Sequence, residues 1–322
     1  GIRDRPEIDA PAGVPVSIYS SDQGDRLWSS AYDWFDFDSR DLIPSLEAVT
    51  GLHLTSFHGC YDPGYFTLSP TCEPDSEEPW VDCTAEGEPL KDPDMSLLDG
   101  VCEDIQSEDY WCLTTSGWQA HLLGLESGEL CAITPGITLG GGVDTSIAWM
   151  GEHLYGCSGS YYTLERASLV DGHAEQSLAY CQAVASYDGG LLTEEHGKLQ
   201  HGTDRMWYFE TFLDAQCETG QEWHLDGSKS RMTTYEDTLY YAWHSTDVIE
   251  GTDILTGSPI DDIYVEDYDT WVQGMSVIDG ELLVLNATWP EERVVGFDVD
   301  TGLELWELPV TTGLTGLICF GS

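Results

Sequence analysis

Residues 275–308 constrain the fold of this chain most, because they contain four short strand-like runs separated by turn-forming residues. The first run, residues 276–278, is short and largely apolar, and the second, residues 282–285, is continuously apolar. Asp279 and Gly280 lie between them, and this dipeptide is typical of two-residue hairpin turns. The pattern predicts an antiparallel hairpin whose second strand is buried on both faces.

The other two runs extend this hairpin into a larger unit. Residues 294–299 are a third strand-like run. Residues 303–308 alternate apolar with acidic side chains, which is the period of a half-exposed strand. Four antiparallel strands joined by tight turns predict one blade of a β-propeller.

The sequence of residues 294–308, VVGFDVDTGLELWEL, resembles the repeat of PQQ-like (quinoprotein-type) propellers. In that family an Asp-x-x-Thr-Gly turn precedes a strand that carries Trp, as Asp298, Thr301, Gly302 and Trp306 do here. The resemblance implies a propeller fold. Quinone-dependent alcohol dehydrogenases of the family place a disulfide between adjacent cysteines over the cofactor, and this chain has no adjacent cysteine pair. That activity is therefore not expected.

Weaker copies of the repeat recur along most of the sequence and predict an all-β chain with a single propeller. Dividing the chain into seven four-stranded blades gives about 46 residues per blade, a usual spacing. Residues 314–322 resemble residues 49–57, so we expect both to be innermost strands. Residues 16–46 are then expected to complete the last blade, closing the ring by pairing N- and C-terminal strands. The predicted domains are an arm over residues 1–15 and a propeller over 16–322.

Charge limits the classes of partner. The chain has 59 Asp and Glu residues against 11 Lys and Arg residues, for a formal net charge of -48. Such a surface repels nucleic acid and anionic membranes. It favours cations, cationic partners or a salty medium, in which charges are screened.

Ten cysteines, none in a C-x-x-C pair, indicate up to five disulfides formed in an oxidising compartment, with buried free thiols as the alternative. Cys102 and Cys112 flank a short predicted turn and are a candidate pair. Cys112–Cys131 and Cys157–Cys181 are competing or additional pairs. The chain opens at Gly1 without Met, so we interpret it as a mature secreted chain.

Metal and catalytic candidates are sparse. Asp33, Asp36 and Asp38 lie close together among aromatic residues and are the candidate ligands for Ca²⁺. No nucleophile elbow or metalloprotease motif is present. Asn286 begins a glycosylation sequon that Trp289 and Pro290 follow closely.

The arm and one aromatic patch are the candidate interaction residues. Ile2, Arg3, Arg5 and Ile8 give the arm the means to dock by strand addition and charge pairing, on an adjacent copy or another extracellular protein. Trp34 and Phe35 lie among acidic residues and form a candidate binding rim.

Two functions remain open from sequence. One is a non-catalytic structural or interaction subunit of an extracellular or cell-surface assembly, including a self-polymerising filament. The alternative is an extracellular enzyme or lectin-like propeller with an acidic, Ca²⁺-dependent pocket.

Overall fold

The computed structural model of the chain describes five short strands within residues 16–68 and most of the sequence from residue 85 onward. The described ranges are 85–116, 119–133, 143–158, 163–195, 205–217, 219–224, 231–242, 248–265, 271–288, 291–311 and 313–321.

The strands within residues 16–68 form one antiparallel sheet of their own. They are β1 (Val16–Ser20), β2 (Arg26–Ser29), β3 (Tyr32–Asp36), β4 (Tyr61–Asp62) and β5 (Tyr65–Leu68). Their order in the sheet is β3-β2-β1-β5-β4. Three of these strands coincide with runs that the sequence predicts, but none pairs with the strand at the C-terminal end.

The strands from residue 110 onward form five antiparallel four-stranded sheets, which are the blades of a β-propeller. Blade 1 contains β6 (Tyr110–Ser116), β7 (Gln119–Gly124), β8 (Leu130–Ala132) and β25 (Leu314–Gly321). Blade 2 contains β9 (Val143–Met150), β10 (His153–Ser158), β11 (Thr163–Ser168) and β12 (Ala174–Tyr180). Blade 3 contains β13 (Ala183–Tyr187), β14 (Gly190–Glu195), β15 (Arg205–Phe209) and β16 (Gln221–His224). Blade 4 contains β17 (Arg231–Tyr235), β18 (Thr238–Ala242), β19 (Val248–Asp253) and β20 (Pro259–Tyr264). Blade 5 contains β21 (Val272–Ile278), β22 (Glu281–Thr288), β23 (Glu291–Asp298) and β24 (Glu304–Val310).

The inner strands of the blades are β25, β9, β13, β17 and β21, and each packs against the inner strands of its two neighbours. The expected count of seven blades is wrong, because the described residues form five. The strands described before residue 85, β1–β5, form a sheet of their own, and residues 49–57 lie outside the described residues.

The C-terminal strand completes a blade, but not with the residues expected. β25 is an inner strand, and it pairs with β6, where Cys319 lies directly opposite Cys112. The predicted pairing with residues 16–46 is therefore wrong. Strand character in residues 314–322 was readable from sequence, whereas the choice of partner depends on contacts across the whole propeller.

The prediction for residues 275–308 is confirmed. Blade 5 has its four strands in the expected places, and Asp279 and Gly280 form the turn between β21 and β22 with φ of 50° and 80°. Asp188 and Gly189 repeat this conformation in blade 3, with φ of 44° and 74°. Positive φ at both central residues is the type I′ geometry, which matches the twist of antiparallel strands.

Large side chains fill the spaces between blades. Trp111, Trp149 and Phe320 meet where blades 1 and 2 adjoin, with ring centroids of Trp111 and Trp149 at 4.9 Å and 5.5 Å from that of Phe320. Trp111 and Trp149 are almost fully buried. Here the aromatic residues act as inter-blade core, the role that recurring aromatics have in propellers.

One segment outside the blades, residues 87–109, is called the strap. Leu90 donates a backbone hydrogen bond to Glu210 of blade 3, and Asp94 donates one to Gly151 of blade 2, at 3.2 Å and 2.9 Å. Leu98 is fully buried in the core between blades 1 and 2. The strap therefore ties three blades together before the chain enters β6.

Candidate interaction surface

The functional candidate in the described part of the chain is one end of the propeller, which we call the hairpin face. It carries the turns between first and second strands and between third and fourth strands of the blades, together with the strap. All these segments lie at the same end because the strands of each blade alternate in direction.

The hairpin face is acidic with little compensating charge. Lys91 is the one Lys or Arg in its described turns and strap. The acidic residues in those segments are Glu88, Asp92, Asp94, Asp99, Glu103, Asp104, Glu108, Asp109, Glu126, Glu129, Glu152, Asp171, Asp188, Glu210, Asp214, Glu236, Asp237, Asp279 and Asp300. A face of this kind attracts cations and cationic chains over a distance set by salt.

Two arginines elsewhere in the described residues form ion pairs with glutamates. Arg166 forms an ion pair with Glu175 and lies 4.1 Å over the ring centroid of Phe212. The Arg293 guanidinium lies 2.7 Å from the Glu307 carboxylate. These pairs leave the charge of the hairpin face uncompensated.

Six-residue turns hold part of the acidic charge in fixed positions. Asp298 accepts hydrogen bonds from the backbone N–H and hydroxyl of Thr301, at 2.7 Å and 2.6 Å. Asp253 and Thr256 repeat the arrangement in blade 4, at 2.7 Å and 2.8 Å. The hydrogen bonds from each threonine lower the pKa of its aspartate. Both carboxylates therefore stay ionised to lower pH than an isolated aspartate.

The turn between β7 and β8 in blade 1 has the same form, but its carboxylate comes from the strap. Gly124 occupies the position of Asp298, and Glu108 of the strap supplies the missing oxygens. Glu108 accepts hydrogen bonds from the Glu126 backbone at 2.7 Å and from the Ser127 hydroxyl at 2.5 Å. A Cβ at Gly124 would lie 2.2 Å from the Glu108 carboxylate, so the glycine makes room for it.

Tyrosines connect neighbouring blades at the hairpin face. The hydroxyl groups of Tyr110 and Tyr187 donate hydrogen bonds of 2.9 Å to Asp279 and Asp237, respectively. The bond to Asp279 raises the pKa of Tyr110. Desolvation and the bond to Asp237 raise the pKa of Tyr187 to about 12. Both phenols therefore remain neutral donors through the physiological range.

Apolar side chains interrupt the acidic surface. Val170, Leu255 and Leu303 lie in the turns between third and fourth strands and are 54%, 69% and 65% exposed. Leu305, the second residue of β24, is 48% exposed. Leu303 and Leu305 are two residues apart in blade 5, whereas Val170 and Leu255 are single exposed side chains of other blades, as is common on protein surfaces.

The disulfides differ in part from those expected. The structure pairs Cys157 with Cys181, as expected, and joins Cys102 to Cys131 and Cys112 to Cys319. Cys217 is disulfide-bonded as well. The Cys102–Cys112 and Cys112–Cys131 pairs are wrong. Cys102 does not lie on a strand: it precedes the one-turn helix Glu103–Gln106 with φ of 54°, which turns its side chain toward β8.

The residues that the sequence predicted to bind metal or a partner lie in β3 or outside the described residues. Asp33, Trp34, Phe35 and Asp36 lie in β3, where the structure describes the strand alone. Ile2, Arg3, Arg5, Ile8 and Asp38 lie outside the described residues. No group of three or more metal-ligating side chains lies together among the residues with described side chains. None of the helices in the described part has the length and apolar character of a membrane span.

The glycosylation sequon lies in the core. Asn286 is in β22 and is fully buried, so a glycan cannot be attached to it in the folded protein. Its neighbours Leu283 and Leu285 on the same strand are buried as well.

Comparison with known proteins finds likenesses among solved structures alone. No protein-family model and no curated protein sequence matches the chain. One chain in a crystal structure of a nidogen/laminin complex is 13% identical, with 65% of this chain and 98% of that chain covered and a TM-score of 0.44. Myxococcus xanthus glutaminyl cyclase is 15% identical, with 55% of this chain and 70% of that chain covered and a TM-score of 0.37. Apo AztD from Citrobacter koseri is 8% identical, with 66% of this chain and 98% of that chain covered and a TM-score of 0.35. All three TM-scores are below 0.5, and the assignment as a β-propeller rests on the five blades and their ring of inner strands.

Proposed function

We propose that the protein is a non-catalytic propeller, related in its repeat to PQQ-like propellers, that acts as a subunit of an extracellular or cell-surface assembly. Copies of the chain join into a filament when residues 1–15 of one copy dock on the propeller of the next. The observation that carries the proposal is the uncompensated acidic charge of the hairpin face, interrupted by exposed leucines.

Residues 1–15 contain side chains that can pair with those of the hairpin face. Arg3 and Arg5 are two of the chain's 11 basic residues, and Ile2 and Ile8 flank them. The segment also carries Asp4, Glu7 and Asp9, so it is the two arginines and two isoleucines, not its net charge, that match the carboxylates and exposed leucines of the hairpin face. A head-to-tail contact of this kind produces filaments unless its rotation closes a ring.

The disulfides support the extracellular location. Cys102–Cys131, Cys112–Cys319 and Cys157–Cys181 are all formed, and bonds of this kind persist in oxidising compartments. The acidic surface is compatible with a salty medium outside the cell, where the remaining repulsion between carboxylates is screened.

The test is self-association of the full chain by sedimentation velocity at about 0.01 M salt, where charges act over about 30 Å. We expect the natural chain to form polymers, and the Arg3→Glu, Arg5→Glu double variant to remain monomeric. Arg26→Glu is the matched control, since it changes an arginine outside residues 1–15. A natural chain that stays monomeric, or a double variant that polymerises like it, would contradict the proposal.

A further inference from the structure

The turns between the first and second strands of blades 2–5, which we call the inner turns, lie on the hairpin face, and the strap binds one of them. In blade 2 the N–H of Gly151 donates to the carbonyl of Lys91 at 2.8 Å, and the Gly151 carbonyl accepts from the N–H of Asp94 at 2.9 Å. Both peptide groups of one turn residue therefore hold a four-residue segment of chain, whose first residue accepts and whose fourth residue donates.

The inner turn of blade 4 presents the same groups to solvent. Glu236 holds the position of Gly151, with φ of 49° against 55°. In both turns the positive φ is confined to the first central residue, whereas in blades 3 and 5 the glycine after it has positive φ as well. Glu236 is exposed, and its N–H, carbonyl and carboxylate have no hydrogen-bond partner within the described part of the chain.

The inner turns of blades 3 and 5 are engaged within the propeller. The Asp188 carbonyl of blade 3 accepts a hydrogen bond from the Tyr208 hydroxyl at 3.0 Å. The Asp279 carboxylate of blade 5 accepts one from the Tyr110 hydroxyl at 2.9 Å. Of the four inner turns, that of blade 4 is therefore the best counterpart of the turn that the strap binds.

A side chain at this position leaves room for a bound segment. A Cβ at Gly151 would lie 4.0 Å from the Cβ of Lys91, which is an ordinary contact distance. At blade 4, the residue in the place of Lys91 would accordingly lie beside the side chain of Glu236. A cation in that place would pair with the Glu236 carboxylate.

The arm contains one segment with a cation at its first position and an N–H at its fourth. Arg3 has Pro6 at the fourth position, and proline has no N–H to donate. Arg5 has Ile8 there, and isoleucine has one. Segments that begin at an acidic residue of the arm would place like charge beside the turn.

The two middle residues of this segment are compatible with the contact. Pro6 takes the place of Asp92, which contacts Gly151 through its carbonyl, at 3.2 Å, so the proline loses no hydrogen bond to the turn. Glu7 takes the place of Pro93 and carries a negative charge. The attraction therefore comes from Arg5 and from the two backbone hydrogen bonds, not from the net charge of the segment.

We infer that the inner turn of blade 4 receives residues 5–8 of a second copy of this chain. Arg5 then lies beside Glu236, and the Arg5 carbonyl and the Ile8 N–H bind the peptide groups of Glu236. The inference rests on the proposed function, because it names the part of the hairpin face that the arm binds.

Hydrogen exchange, followed by mass spectrometry at about 0.01 M salt, tests the backbone contact. We expect the Glu236 amide, in peptides covering residues 233–239, to exchange at least about tenfold more slowly in the natural chain than in the Arg3→Glu, Arg5→Glu variant. The Asp188 amide is the matched control, since it has the same place in blade 3, and it should exchange equally in both proteins. Equal exchange at Glu236 would overturn the inference.

Charge exchange, followed as self-association by sedimentation velocity, is an independent test. Glu236→Arg combined with Arg5→Glu keeps opposite charges at the contact and should associate within about threefold of the natural chain. Asp188→Arg combined with Arg5→Glu has the same net charge and also changes a turn residue of positive φ. It should associate at least about tenfold more weakly than the first combination.

The outcomes separate this inference from the proposed function. If the two combined variants associate equally, the inner turn of blade 4 is not the receiving site. The proposed function would still stand in that case, provided that Arg3→Glu, Arg5→Glu abolishes association. A monomeric natural chain would overturn both.

Discussion

At the scale of single residues, the turn between β7 and β8 depends on a carboxylate that the strap brings to it. Glu108 bonds the backbone of Glu126 and the hydroxyl of Ser127 in the place where Asp298 and Asp253 serve their own turns. We predict that Glu108→Ala lowers the free energy of unfolding by about 1 kcal/mol, the usual effect of losing a carboxylate that caps backbone N–H groups.

The compensating change is Gly124→Asp. Alone it should destabilise the protein, because its Cβ would lie 2.2 Å from the Glu108 carboxylate. Combined with Glu108→Ala it should restore stability, since the aspartate then occupies the space that the glutamate left. Urea denaturation of the four proteins gives the coupling energy, with Glu103→Ala as an exposed control on the same strap. Additive losses in the double variant would show that Glu108 does not replace the missing aspartate.

At the scale of elements, the pairing of β25 with β6 joins the two ends of the propeller chain, and Cys112–Cys319 locks it. The bond spans a sequence separation of 207, against 24 for Cys157–Cys181. Chain entropy then predicts that the first bond contributes roughly 5 kcal/mol and the second roughly 3 kcal/mol, because the longer loop restricts the unfolded chain more.

The two bonds can be compared directly because all four cysteines are buried. Replacing Cys112 and Cys319 with alanine should lower the free energy of unfolding more than the same change at Cys157 and Cys181, as measured by urea denaturation. Equal losses, or the reverse order, would show that the closure of blade 1 does not limit the unfolded chain.

The same elements show what the sequence could predict. Blade 5 was predictable because turn-forming residues separate its four strand-like runs and Asp279 and Gly280 specify one turn type. Strand character in β25 was predictable too, but its partner was not, because any inner strand has an equivalent pattern. Cys102 was misread because a one-turn helix is too short to produce a helical period.

The sequence predicted the acidic composition of the interaction surface, but not where in the fold that surface lies. The acidic charge is plain in the sequence, and Gly124 marks where a turn carboxylate is missing. The alternation of residues 303–308 indicated a half-exposed strand, but only the sheet order identifies β24 as the outer edge. Leu305 is 48% exposed at the point where the pairing of β24 with β23 shifts register, which the sequence does not show.

At the scale of the whole molecule, the net charge of -48 sets two responses to salt that run in opposite directions. Repulsion among the carboxylates opposes the compact fold, so screening should raise the melting temperature. The contact between the arginines of the arm and the acidic hairpin face is attractive, so the same screening should weaken it. We predict that stability rises and association falls between about 0.01 M and about 0.15 M salt, where the screening length shrinks from about 30 Å to about 8 Å.

Calorimetry and sedimentation velocity on the same samples measure the two responses. A rise in melting temperature that begins only at molar salt would point to exclusion of salt from apolar surface, because screening is nearly complete by then. The Arg3→Glu, Arg5→Glu variant is the control: its melting temperature should rise as in the natural chain, since the propeller surface is unchanged. Polymers that grew more stable with added salt would mean that apolar contacts at Leu303 and Leu305, rather than charge, hold the copies together.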